Sequence, residues 1–290
     1  MTRSPSRSPW TNSPAKEAGL EPEDILVAVD GESVEGEDIT EVSEKFEGSE
    51  GSTVELTVLR DEEERRFSVE RVKLDAPAVT WNPIPDTDVA HLRLARFSKN
   101  SASELEKAIN EARDAGARRF VLDLRDNPGG WVRQAERVAA LFLPAGSPIY
   151  IQRDSEGEEE ETNVPGGDVT LDSPLVVLVN EGTASSAEIL AGALKENGRA
   201  KLVGERTSGI GTVIADYPLG NGSTVLLSVA EWLTPNGNSN QWAGITPDTE
   251  AELEDSQEPR FPDEVRGLSR AEILSKDTQL ERASELLREE

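Results

Sequence analysis

Two segments of this chain carry residue types and spacings suited to acyl chemistry. The first, Gly182-Thr-Ala-Ser-Ser-Ala-Glu-Ile189, follows an apolar run from Leu175 to Asn180 that reads as a buried strand, and it opens a helix pattern from Ser186 to Asn197. Ser185 would then sit at the C-terminal end of a strand, where open α/β sheets place their sites, and the N-terminus of the following helix favours developing negative charge. The same letters also spell a capping box, Ser185-x-x-Glu188, which is the commoner use of such a motif. The second segment, Asp123-Leu-Arg-Asp-Asn-Pro-Gly-Gly130, leads from a strand into a helix. Its paired glycines let backbone N–H groups approach a ligand, as an oxyanion hole requires, and they also suit a plain Pro-Gly turn. A third glycine-rich stretch, Gly204 to Val213, could hold phosphate, but it lacks the lysine of a P-loop and does not fit GxGxxG.

The elements that must position these segments follow from periodicity. Strand and helix patterns alternate through Val89–Leu94, Ala102–Ala115, Arg119–Arg125, Arg133–Leu143, Leu175–Asn180, Ser186–Asn197 and Ala200–Val203, which predicts an α/β domain with a largely parallel sheet. Strands at Thr212–Tyr217 and Ser223–Leu233 follow, and Arg270 onward reads as a terminal amphipathic helix. Ahead of this domain, Ser13 to about Lys73 reads as a small β unit: a short helix, a strand ending at an Asp30-Gly31 turn, and a hairpin of Ser52–Arg60 with Arg66–Val72. Ala76 to Asp88, with three prolines, reads as the join. The acidic run Asp154 to Glu161 reads as a solvated loop away from Ser185 and Gly129.

Composition narrows the chemistry. Asp and Glu total 57 against 30 Lys plus Arg, a net charge of −27, which excludes an electrostatic nucleic-acid binder. The basic residues comprise eight lysines and 22 arginines, and an acid-rich, lysine-poor chain suits solubility at high salt. There is no cysteine and one histidine, His91, so disulfides, a cysteine nucleophile and a Cys/His zinc cluster are excluded. No run is long and apolar enough for a membrane span, and the first residues lack the apolar core of a signal peptide.

In order along the chain, Ser13-Pro-Ala-Lys-Glu-Ala-Gly-Leu, Asp24-Ile-Leu-Val-Ala-Val-Asp-Gly, Arg96-Phe-Ser, the Asp123–Gly130 and Ala140-Leu-Phe-Leu-Pro segments, Gly182–Leu194, Leu233-Thr-Pro-Asn-Gly and Gly244-Ile-Thr-Pro-Asp closely resemble the C-terminal processing peptidases, S41-type serine proteases with a PDZ domain. The resemblance implies an N-terminal partial PDZ-like β unit and a ClpP/crotonase-like α/β peptidase core with a C-terminal helix. The bounds are 1–12 for an N-terminal arm, 13–74 for the PDZ-like unit, 75–250 for the core and 251–290 for the tail. It implies a serine endopeptidase acting on protein or peptide C-terminal regions, with no cofactor and no metal. Ser185 would be the nucleophile, and the backbone amides of Ser186, Gly129 and Gly130 would form the oxyanion hole. The family usually resides in the cell envelope, although no export signal or anchor is read here.

Two positions depart from the pattern. The family's base is a lysine and its support a glutamine, and the matching positions here are Ile210 and Ile214, with the spacing from Ser185 preserved. Isoleucine accepts no proton, and general-base help is worth ~10²–10⁴-fold. Lys195 and Lys201 read as surface or structural residues, His91 as a solvent-facing or core histidine, and Glu188 as a cap partner. The family's PDZ also has a strand and a Gly-rich loop ahead of the Ser13 block, where twelve residues stand here. The alternative reading is therefore a catalytically impaired pseudopeptidase that keeps the fold as a peptide-binding or assembly scaffold.

Overall fold

The computed structural model describes residues 13–21, 24–37, 42, 45–60, 63–72, 77–165, 173–219, 223–254 and 257–289; for residues 214–216, 218 and 226 only the backbone is described. The expected arm at 1–12 lies outside the described residues. The chain divides into two compact units, Met1–Ala76 and Pro77–Glu290.

In the first unit, a short helix α1 (Pro14–Glu17) starts at Ser13, whose Oγ accepts from the Lys16 N–H, with Pro14 at the first helical position. Strands β1 (Ile25–Val29), β2 (Glu32–Ser33), β3 (Thr53–Arg60) and β4 (Glu63–Glu70) form an antiparallel sheet in the order β2-β1-β3-β4. Alternation along β3 buries Val54, Leu56 and Val58, and Val29 and Val69 pack with Val54 and Leu56. Asp24 is buried and takes both 2.6 Å bonds of a bidentate Arg60. Those hydrogen bonds hold its carboxyl below the usual range against the opposing effect of burial.

The second unit is built on a six-stranded sheet, ordered β14-β11-β10-β7-β6-β5. Its members are β5 (Val79–Pro83), β6 (Val89–Leu94), β7 (Arg119–Asp123), β10 (Leu175–Val179), β11 (Lys201–Gly204) and β14 (Thr249–Glu250); every neighbouring pair is parallel except β5 with β6. Side-chain alternation on the central strands feeds two cores. Phe120 and Leu122 of β7 and Val177 and Val179 of β10 pack with helices α2 (Ser101–Asp114), α3 (Val132–Ala139) and α4 (Ser186–Glu196). Val121, Val176 and Leu178 face the other way, onto Leu280, Ala283, Leu286 and Leu287 of the last helix. A sheet covered on both faces explains why these strands read as unbroken apolar runs. Among the described residues no helix is long and apolar enough to cross a membrane.

A second, four-stranded antiparallel sheet, β12-β13-β8-β9, comprises β8 (Pro148–Asp154), β9 (Glu159–Asn163), β12 (Thr212–Pro218) and β13 (Thr224–Leu233). Two expectations change here. Half of the acidic run is not loop: Asp154 ends β8 and Glu159–Glu161 belong to β9, with Asp154 Oδ1 accepting from the Glu156 and Glu158 amides and closing a tight turn. The C-terminal segment forms two helices, α5 (Arg270–Leu274) and α6 (Thr278–Glu289): the first closes at Ser275, and Asp277 Oδ1 accepts from the Leu280 N–H at the start of the next.

Candidate active site

Ser185 lies where the chain turns from the end of β10 into α4. Its backbone is at φ 54°, ψ −121°, a region that non-glycine residues occupy at a cost of about 1–3 kcal/mol and that usually marks a functional turn. Ordinary caps in this chain differ: Ser13 and Ser269 are both extended, at φ −87° and −72°. Glu188 does reach back to the Ser185 amide at 2.9 Å, the glutamate half of a capping box, but the strained backbone sets Ser185 apart from a plain cap. The turn is held from the neighbouring strand end. The Thr183 hydroxyl donates to Leu124 O (2.9 Å) and the Ala184 amide to Asn127 O (2.9 Å).

The Asp123–Gly130 segment lies against this turn. A methyl group on Gly129 would stand 2.8 Å from both Ser185 Cβ and Ala184 O, and one on Gly130 would stand 2.3 Å from Phe97 O, so neither position admits a side chain. Both residues have positive φ, 95° and 129°. Ser186 Oγ donates to Gly130 O at 2.8 Å, tying the loop to the first turn of α4. The Gly129 amide donates to Asn127 Oδ1 at 2.9 Å, and Asn127 Nδ2 donates to Leu94 O at 2.7 Å. Of the three amides expected at this point, that of Gly129 is therefore already committed. The Ser186 amide is one of the first-turn N–H groups that a helix leaves unpaired.

Glu188 is fully buried, and its carboxylate takes five hydrogen bonds. Oε1 accepts from Thr207 Oγ1 (2.6 Å), Gly209 N (2.8 Å) and Asn240 Nδ2 (2.7 Å), and Oε2 accepts from Ser185 N (2.9 Å) and Ile210 N (3.0 Å). The Gly209 and Ile210 amides of the Gly204–Val213 stretch thus face a carboxylate, in keeping with its lack of a P-loop pattern. The glycines serve close packing: a methyl group on Gly211 would stand 2.5 Å from Gln241 N.

Ile210 is 42% exposed, and its carbonyl accepts from Trp232 Nε1 at 2.8 Å. It lines a cavity of about 410 Å³ together with Ser185 and Gly130. Ile214 lies in β12, and its side chain is outside the described residues. The other titratable groups weighed from the sequence are elsewhere. Lys195 Nζ bonds to Thr246 O (2.7 Å) and pairs with Asp248 (3.2 Å), and Lys201 is exposed on β11.

His91 is buried with its Nε2 2.9 Å from Asp123 Oδ2, as the core histidine that was one of its two readings. Asp123 also pairs with Arg125, which is fully buried and bonds Asp277 and Gln279 across the base of α6. Burial alone would raise the Asp123 carboxyl, but the Arg125 charge and the hydrogen bonds from His91 and Arg125 outweigh it and hold the group well below the carboxylate range.

Residues that the sequence reading did not single out complete the cavity. Glu136 and Arg133 of α3 line it with Tyr150 and Gln152 of β8 and Trp232 of β13, and Tyr150 Oη donates to Glu136 Oε1 at 3.1 Å. The signal was present in the alternation of β8, which puts positions 150 and 152 on one face.

Comparison with known proteins supports the geometry. The profile of peptidase family S41 matches residues 88–251, and that of a PDZ domain matches residues 8–60. The carboxyl-terminal-processing protease of Picosynechococcus sp. is 38% identical over 247 residues, covering 83% of this chain and 58% of the relative. The carboxy-terminal processing protease CtpA of Bacillus subtilis is 37% identical over 249 residues, covering 86% and 53%. The chain thus spans about half the length of the curated relatives it matches. Among solved structures, the photosystem II D1 C-terminal processing protease superposes with a TM-score of 0.61 at 32% identity, covering 84% of this chain and 67% of that one. The chain belongs to peptidase family S41.

Proposed function

We propose that this chain is a serine endopeptidase of the C-terminal processing type, acting on protein or peptide C-terminal regions, with residues 75–250 as its hydrolytic core, 13–74 as the PDZ-like unit and 251–290 as the tail bracing the core. The observation that carries the reading is the strained turn at Ser185, held at a helix N-terminus with the Gly129–Gly130 loop against it. In this reading Ser185 Oγ attacks the scissile carbonyl carbon. The carbonyl oxygen, as it gains charge, accepts from the N–H groups of Gly130 and Ser186. As the C–N bond breaks, the proton released by Ser185 Oγ passes to the leaving amine, and water then hydrolyses the acyl-enzyme to a new C-terminal carboxylate and the free serine. Gly129 contributes close packing and not a donor, because Asn127 holds its amide. The proteins it resembles in sequence are named as processing proteases of this class.

A second reading, the pseudopeptidase that keeps the groove as a peptide-binding or assembly scaffold, is favoured by one observation: Ile210, beside Ser185 in the cavity, supplies no proton acceptor. Labelling with a fluorophosphonate separates the two readings. Labelling of the wild-type chain that is lost in Ser185→Ala, with peptide cleavage raised ~10²–10⁴-fold by Ile210→Lys, supports the peptidase. No labelling and no cleavage in either protein would sink it.

A further inference from the structure

The cavity beside Ser185 has a charge that an apolar pocket would not need. One wall is formed by Ile189, Ile210, Val213 and Trp232, which suits an aliphatic stem. The other carries Glu136, half-buried, with one carboxylate oxygen accepting from the Tyr150 hydroxyl at 3.1 Å. Burial raises the Tyr150 phenol, and the Glu136 charge adds to the effect, so the phenol stays a donor and Glu136 the acceptor.

A second observation points the same way. In the antiparallel pairing of β8 with β9, Gln152 stands opposite Glu160 and Tyr150 opposite Thr162. Residues directly opposite share a face of the sheet, so Glu160 is on the face whose Tyr150 and Gln152 line the cavity. The acidic run, expected away from Ser185, therefore reaches this face. On the other face Arg153 pairs with Glu159 (2.7 Å) and Glu231 (3.4 Å). Arg133 is the cation among the cavity's lining residues, and it is exposed.

We propose that this cavity selects a lysine or arginine side chain on the peptide residue whose carbonyl faces Ser185, its stem along the Ile189–Ile210–Trp232 wall and its cationic tip on Glu136, with Glu160 attracting it to the mouth. The proposal rests on Ser185 being the reacting serine, since only then does that residue's side chain project into the cavity that Ser185 and Gly130 line.

The test measures calorimetric binding of N-acetylated Ala-Ala-Ala-X peptides with free C-termini, X being Lys, Arg, Leu or Glu, to the full chain carrying Ser185→Ala. Lys and Arg peptides bind at least tenfold tighter than Leu, and Glu weakest. Glu136→Gln brings Lys to within about threefold of Leu, and the exposed Glu160→Gln, whose folding is not at issue, lowers the Lys affinity two- to fivefold. Leu binding as tightly as Lys, or a Lys preference untouched by both variants, overturns the proposal. Fluorophosphonate labelling of the wild-type chain is read alongside. Labelling with a Leu preference sinks the pocket and keeps the peptidase, whereas a Lys preference without labelling keeps the pocket and sinks the peptidase.

Discussion

One oxygen, Glu188 Oε2, accepts hydrogen bonds from the amides of both Ser185 (2.9 Å) and Ile210 (3.0 Å). The carboxylate thereby fixes the strained serine turn and the segment across from it in a single frame. Replacing Glu188 with Ala would strand five donors in a buried space, and we expect a loss of at least ~3 kcal/mol, since each such group costs about 1–3 kcal/mol. For a unit of this size that lowers the unfolding midpoint by ~6–12 °C in calorimetry. A midpoint within a degree or two of wild type would show that the frame is not held by this residue.

The Gly129–Gly130 loop offers a test of the oxyanion assignment. A methyl group at position 130 would collide with Phe97 O at 2.3 Å and displace the amide assigned to the oxyanion. Gly130→Ala should slow fluorophosphonate labelling of Ser185 by ~10²-fold or more. Ser186→Ala, which loses only the 2.8 Å bond to Gly130 O, should slow it by tenfold or less, in line with about 1 kcal/mol for one hydrogen bond. Equal effects of the two variants would count against the Gly130 amide as the donor.

Asp123 and Arg125 give a pH dependence of known sign. The Asp123 carboxyl is held below its ordinary value, so its contribution to stability is complete above the unfolded pKa of about 3.9 and is lost as pH falls toward the folded value. Asp123→Asn leaves the buried Arg125 short of a partner and should cost about 3–5 kcal/mol at pH 7. In urea titrations the gap between wild type and variant should hold steady from pH 7 to 5 and narrow below about pH 4. A gap that widens on acidification contradicts the assignment.

The charge of −27 predicts stabilisation by salt. Raising KCl from 0.1 to 1 M shortens the screening length from about 10 to about 3 Å and relieves repulsion among exposed carboxylates. The melting temperature should rise by several degrees over that range. A flat or falling curve would remove high-salt adaptation as the reason for the acidic composition.

The parallel sheet and its helices were legible because Val176–Val179 and Phe120–Leu122 are apolar on both faces, a pattern that only a covered strand produces. Ser185 was legible as a position, but its φ of 54° was not, since the letters of a cap and of a strained turn are the same. Glu188 was underestimated for a related reason: three of its five donors come from positions 207–210 and one from 240, and no local spacing announces them. The acidic run misled because charge suggested solvent, although a strand can be fully exposed and still be paired. Glu136 and Tyr150 meet only because α3 and β8 bound one cavity, a relation that exists in the fold alone.

The buried Arg125 also orders events in time. Its partners Asp277 and Gln279 lie 152 and 154 positions further along the chain. A guanidinium is not desolvated before its carboxylates arrive, so the strand end leading into Asp126–Gly130 settles only after α6 has docked. Synthesis runs from the N-terminus, and a nascent chain that has already made Ser185 still lacks the residues that fix the loop beside it. Contacts of such long range close late and slowly. The turn at Ser185 is thus expected to settle late in folding, after the last helix has been made.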